Sequence, residues 1–113
     1  MKIYHNPRCS KSRQSLALLQ EAGVDVEVIE YLNHPPTVEE LSQILNALQM
    51  EPADVMRTGE AVYRELGLNG KELSRQEAIE TMVQNPVLIQ RPIVVKGERA
   101  VIGRPPENIR TLI

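Results

Sequence analysis

The sequence contains a single cysteine, Cys9, and neither phenylalanine nor tryptophan. A lone thiol excludes an internal disulfide, and small secreted domains usually carry even numbers of cysteines. A four-cysteine metal centre is excluded as well. With only His5 and His34 beside the thiol, we predict no metal site of the usual composition. The cysteine count therefore favours a reduced, cytoplasmic protein that holds no metal.

Long apolar runs and a strong excess of one charge are also missing. No stretch of about 18 apolar residues is present, so we expect no transmembrane helix and no membrane partner. The formal net charge is -2, whereas nucleic-acid-binding domains usually carry a basic excess. The only aromatic side chains are those of three tyrosines, which offer few surfaces for stacking bases. We therefore predict no nucleic-acid partner.

The residues that are present indicate one globular α/β domain spanning residues 1–113. The chain is 42% hydrophobic and 25% charged, as is usual for globular proteins. A short strand over residues 2–5, a helix from Cys9 or Ser10 to Ala22 and a β-branched strand from Val24 to Tyr31 predict a βαβ unit with parallel strands.

The middle of the chain, at about residues 37–90, predicts a helical insertion. Thr37 with Glu40 and Ser74 with Glu77 form capping boxes that open two helices. Short strands at residues 93–95 and 99–102 around Gly97 predict an antiparallel hairpin, and a last helix is expected over 106–112. The order βαβ, helices, ββα predicts a four-stranded mixed sheet.

Cys9 lies between the first strand and the first helix, at the end of the helix where free N–H groups and the dipole favour an anion. Ser12 can donate a hydrogen bond to the sulfur. The nearby basic side chains are Arg8, Lys11 and Arg13. Each of these features favours the thiolate and predicts a lowered pKa for Cys9. The alternative interpretation, a small buried apolar cysteine, fits this basic segment poorly.

Four further residues stand out by their position. His5 precedes Cys9 by four residues. It is either beside the sulfur, as a proton acceptor or as an imidazolium partner, or simply a strand-end histidine. Arg57, Arg91 and Arg104 stand at the ends of predicted elements. Each alone is typical of a solvated surface charge, but arginines used together suit a tetrahedral oxyanion, because each guanidinium binds in a bidentate manner.

The segment Asn6-Pro7-Arg8-Cys9-Ser10-Lys11-Ser12-Arg13, with Arg57, Arg91-Pro92 and Gly103-Arg104-Pro105-Pro106, resembles the arsenate reductase family coupled to glutathione and glutaredoxin. The likeness covers essentially the whole chain. It implies a thioredoxin-like fold, a nucleophilic Cys9 and an assisting His5. The implied oxyanion-binding residues are Arg57, Arg91 and Arg104, and we assign supporting roles to Ser12, Arg13 and Pro92.

The implied reaction begins when the Cys9 thiolate attacks arsenate and forms a covalent adduct. Because the chain has no second cysteine, the remaining thiols must come from external glutathione and glutaredoxin, with no bound cofactor. The chain departs from the family at Ser10-Lys11, where the best-characterised members carry Gly-Thr. Thioredoxin-like folds place a cis-proline at the start of their third strand, so we predict a cis Arg91-Pro92 peptide bond.

Two other functions are compatible with such a fold. The first is a thioredoxin-like adaptor that binds a protein partner, as in related transcription regulators. Those regulators often carry Cys-x-x-Cys, and here Ser12 stands at the second cysteine's position. The second is a general glutathione-dependent thiol reductase. The three arginines favour oxyanion binding over both alternatives.

Overall fold

The computed structural model describes residues 1–113, which divide into two compact units. The first unit comprises Met1–His34 and Arg91–Ile113, and the second comprises Pro35–Gln90. The second unit contains the whole of the predicted helical insertion.

The first unit is built on a four-stranded sheet with the order β2-β1-β3-β4. Strand β1 pairs in parallel with β2, and the β1–β3 and β3–β4 pairs are antiparallel. This confirms the predicted mixed sheet. The strands are β1 (Lys2–His5), β2 (Glu27–Glu30), β3 (Ile93–Lys96) and β4 (Arg99–Ile102).

Strand β2 is shorter than the predicted strand from Val24 to Tyr31. The N–H of Val24 donates to Leu19 O at 3.1 Å, in the turn that ends the preceding helix. The first bond towards β1 is donated by Glu27 N–H to Met1 O at 2.8 Å. The alternation of apolar residues from Val24 to Tyr31 is therefore longer than the part of this segment that pairs with β1.

Helix α1 (Ser10–Glu21) and a C-terminal 3-10 helix (Pro106–Leu112) complete the first unit. The predicted last helix is thus present, but with 3-10 geometry. The two helices contact each other, and the 3-10 helix also contacts β4. They enclose a core of side chains that are at most 1% exposed: Ile3, Leu19, Val94, Ile109 and Leu112.

A close approach joins α1 to the end of β4 at Gly103. A Cβ atom at this position would collide with Ser15 Oγ and would lie 2.8 Å from Pro92 Cγ. The N–H of Gly103 donates to Pro92 O at 3.0 Å. Only glycine fits here without a shift of its neighbours. The contact holds Gly103, and with it the start of the segment that carries Arg104, beside Pro92.

The second unit is helical, with α2 (Val38–Leu48), α3 (Pro52–Val55), α4 (Ala61–Glu65), α5 (Arg75–Gln84) and a 3-10 turn at Pro86–Leu88. Both predicted capping boxes are confirmed, Thr37 with Glu40 and Ser74 with Glu77. An isolated antiparallel bridge between Met56 and Ile89 was not predicted. None of the helices has the length and apolar character needed to cross a membrane.

Candidate active site

Cys9 is the residue at which the loop after β1 turns into α1, and it is 8% exposed. Its N–H donates to Asn6 O, and the side-chain oxygen of Asn6 accepts from Arg8 N–H, both at 3.0 Å. Arg13 Nη1 donates to Pro7 O at 2.8 Å. This bond of the Arg13 guanidinium ties the loop to the helix.

Ser12 is fully buried, and its hydroxyl and its backbone have different partners. The hydroxyl oxygen accepts Asn6 N–H at 3.0 Å and lies 2.6 Å from His5 Nδ1. The backbone N–H of Ser12 is hydrogen-bonded to the Cys9 sulfur. Ser12 therefore donates to the sulfur as predicted, but through its backbone N–H, while its hydroxyl binds His5 and Asn6.

His5 is a buried side chain, 6% exposed, and its hydrogen bond goes to Ser12 rather than to Cys9. Burial is the main cause that lowers the pKa of His5; the Glu30 carboxylate raises it and the Arg13 charge lowers it further. The net lowering favours a neutral ring near pH 7. Of the roles left open by the sequence, His5 is the strand-end histidine, the last residue of β1, and its hydrogen bond is not to the sulfur.

The pKa of the Cys9 thiol is lowered overall, in agreement with the predicted direction. Burial is the largest influence and raises the pKa. It is outweighed by the Ser12 N–H, by the hydrogen bond and charge of Arg91, and by the Lys11 N–H. The helix N-terminus thus contributes through its backbone as predicted, whereas the principal side-chain charge comes from a distant part of the sequence.

Arg104 and Arg91 both lie at the sulfur. Arg104 Nη1 is 3.7 Å from Cys9 Sγ, although the two residues are 95 positions apart. The same nitrogen donates to Arg91 O at 3.2 Å. The Arg91-Pro92 peptide bond is cis, which confirms the prediction, and Arg104-Pro105 is also cis.

Arg57 belongs to the second unit, where it follows α3. Its Nε donates to Glu60 Oε1 and its Nη1 donates to Gln90 Oε1, each at 3.0 Å. Sequence reasoning did not identify Glu60 or Gln90. The spacing of three residues between Arg57 and Glu60 was a usable signal, but nothing local in the sequence connects Arg57 with Gln90.

The first unit therefore combines a buried thiol of lowered pKa with a helix N-terminus and two arginines. Such an arrangement suits a thiolate that attacks an electron-poor centre bearing anionic oxygens. No group of three or more histidine, cysteine, aspartate or glutamate side chains is arranged to hold a metal ion.

The fold and this site define a thioredoxin-like protein with one cysteine set among arginines. The model of the ArsC family matches residues 4–112, and the chain belongs to this family. It is 48% identical over 114 residues to the Escherichia coli K12 protein called "Uncharacterized protein YfgD", covering 100% of this chain and 96% of that one.

Two further comparisons cover the full length. An arsenate reductase of Neisseria meningitidis is 43% identical over 114 residues, which span 100% of this chain and 97% of that protein. The solved structure of an arsenate reductase from Vibrio cholerae is 44% identical with a TM-score of 0.94, covering 100% of this chain and 98% of that chain. The similarity therefore extends over both units of the chain.

Proposed function

We propose that the protein reduces arsenate to arsenite with Cys9 as its nucleophile. Membership of the ArsC family and the similarity to relatives named arsenate reductase support this activity. The observation that carries the proposal is the 3.7 Å approach of Arg104 Nη1 to Cys9 Sγ, together with the hydrogen bond and charge of Arg91 at the same sulfur.

In the first step, the Cys9 thiolate forms a bond to arsenic, and one arsenate oxygen takes up protons and leaves as water. The arsenic remains pentavalent in this thiol-arsenate adduct. Arg91 and Arg104 bind the remaining oxygens and stabilise the charge that develops during attack. On the family resemblance we assign the same role to Arg57.

The second stage reduces arsenic by two electrons. Two thiols supply these electrons when they are oxidised to one disulfide, so arsenate and two thiols yield arsenite, one disulfide and one water. Cys9 is the only thiol in the chain, and we propose that glutathione and glutaredoxin provide the others. A cytoplasmic location, where glutathione is kept reduced, belongs to this proposal.

His5 acts in this scheme through Ser12. A neutral imidazole bonded to the Ser12 hydroxyl holds in place the residue whose N–H stabilises the thiolate. His5 is therefore a positioning residue for the nucleophile.

The test is arsenate reduction by the purified protein with glutathione and glutaredoxin. We expect turnover by the wild-type protein and none by Cys9→Ser. Arg91→Ala or Arg104→Ala should lower kcat/KM by about 100-fold, whereas Arg64→Ala, a change at an exposed arginine of α4, should have no effect. Reduction of disulfides without any arsenate activity would favour the thiol reductase alternative, and no redox activity would favour the adaptor.

A further inference from the structure

We propose that Glu60 and Gln90 are positioning residues, which hold the guanidinium of Arg57 in one orientation for an arsenate-like oxyanion. The inference rests on the proposed function, which gives Arg57 an oxyanion-binding role. It extends that function by naming the two residues that keep this arginine ready to bind.

The position of Gln90 is set by backbone pairing. The isolated bridge of Met56 with Ile89 brings the segment after α3 against the segment after α5. Arg57 N–H donates to Leu88 O at 2.7 Å, and Gln90 N–H donates to Val55 O at 2.8 Å. These bonds place Gln90 beside Arg57 across a separation of 33 residues.

The position of Glu60 is set by a tight turn. Its N–H donates to Arg57 O at 3.4 Å, and its own carbonyl accepts Tyr63 N–H at 3.1 Å as α4 begins. The Glu60 side chain does not cap α4. Its carboxylate instead meets Arg57 Nε, and the two side chains are only 28% and 23% exposed.

These two contacts leave the guanidinium fixed but still able to donate. An arginine carries five N–H donors, and Arg57 uses one at Nε and one at Nη1. The remaining three, including both at Nη2, are available to an oxyanion. A side chain already held in place loses less rotamer freedom when it binds than a free one does.

Glu60 acts on oxyanion binding in two opposite ways. Its hydrogen bond orients Arg57, while its negative charge reduces the attraction of Arg57 for an anion. Replacing the carboxylate by an amide keeps an acceptor for Nε and removes the charge. Glu60→Ala is therefore expected to weaken arsenate binding, whereas Glu60→Gln is not.

The kinetic experiment measures KM for arsenate and KM for glutathione separately. Glu60→Ala and Gln90→Ala should each raise KM for arsenate by roughly tenfold, with KM for glutathione unchanged. Glu60→Gln should leave KM for arsenate at or below the wild-type value. The matched controls, Glu65→Ala and Gln84→Ala at exposed helical positions, should match wild type.

An exchange of the two side chains tests whether the two acceptors, rather than the particular residues, hold Arg57. The double variant Glu60→Gln with Gln90→Glu again offers one acceptor to Nε and one to Nη1, with one negative charge in total. Its KM for arsenate should lie within about threefold of wild type, which is within ordinary context dependence. A double variant as impaired as Gln90→Ala would overturn the positioning role.

Arg57→Ala separates failure of this inference from failure of the proposed function. If wild type does not reduce arsenate, or if Arg57→Ala leaves KM for arsenate unchanged, the role given to Arg57 is wrong and the inference falls with it. If Arg57→Ala raises KM while Glu60→Ala and Gln90→Ala do not, the inference alone is overturned.

NMR relaxation of the Arg57 Nε–H group tests the orientation without any turnover. In the wild-type protein this group should be as ordered as the backbone, and in Gln90→Ala it should gain fast motion. Equal mobility in the two proteins would overturn the inference, whatever the kinetics.

Discussion

Two opposing effects act on the thiol of Cys9. Burial raises its pKa because water no longer solvates the thiolate, and hydrogen bonds from the Ser12 N–H and from Arg91 lower it. Because the lowering prevails, folding favours the thiolate. The resulting contribution to stability is fully present above the unfolded-state pKa of about 8.5 and is lost as the pH falls through the folded-state pKa.

Removal of the Arg91 charge should therefore raise the pKa of Cys9. In wild type, the rate of alkylation by iodoacetamide should rise with pH around a midpoint below the free-thiol value of about 8.5. In Arg91→Ala the midpoint should move to higher pH, and in the Arg64→Ala control it should not. Identical midpoints for wild type and Arg91→Ala would contradict the assigned source of the charge.

A second residue-scale prediction concerns the contact at Gly103. Gly103→Ala forces a methyl group against Ser15 Oγ and Pro92 Cγ, and it should lower the free energy of unfolding by about 1–3 kcal/mol, as overpacking does. Gly59→Ala is the matched control, since a methyl group there would have nothing within 4 Å. Urea denaturation measures both; equal effects would show that the close approach is unimportant.

The sequence singles out candidate site residues by their chemical type, but it does not predict which atoms they contact. Cys9, Arg91 and Arg104 were recognisable because a thiol at a helix N-terminus and arginines at element ends have a chemical meaning of their own. The partner of the Ser12 hydroxyl and the link from Arg57 to Gln90 depend on tertiary pairing. Local residue patterns do not encode such pairing.

At the scale of elements, local signals predicted helix starts well and strand lengths less well. Thr37 and Ser74 open their helices through bonds to residues only three positions ahead, so the sequence contains the whole motif. The extent of β2 depends on where Met1 and β1 lie, which is not local. Residues 106–112 likewise contact β4 and also α1, which lies far from them in the sequence, and the sequence predicted a helix there without its 3-10 geometry.

The C-terminal 3-10 helix should stabilise the fold chiefly through its buried side chains. Leu112 is 1% exposed, whereas its neighbour Ile113 is 51% exposed. We expect Leu112→Ala to lower the free energy of unfolding by about 2–5 kcal/mol and Ile113→Ala to change it by less than about 0.5 kcal/mol. Thermal or urea unfolding distinguishes the two; a small effect of Leu112→Ala would mean that the helix is not part of the core.

At the scale of the whole molecule, the single cysteine limits the redox chemistry of the chain. Formation of a disulfide takes one electron from each thiol, and reduction of arsenic from the pentavalent to the trivalent state requires two. One chain with only Cys9 cannot supply both electrons or close an internal disulfide. The electron balance of the proposed reaction therefore requires external thiols.

Reduced protein mixed with arsenate alone should therefore produce no arsenite, because one chain supplies only one thiol. Addition of glutathione and glutaredoxin should start production, with two glutathione molecules oxidised for each arsenite formed, as the electron balance requires. Chromatographic measurement of arsenite and of glutathione disulfide tests this ratio, and Cys9→Ser corrects for background. The alternative electron source is a pair of chains whose two Cys9 thiols are oxidised to an intermolecular disulfide. A disulfide-linked dimer on a non-reducing gel would reveal it. One arsenite per chain without external thiol and without that dimer would contradict the proposed mechanism.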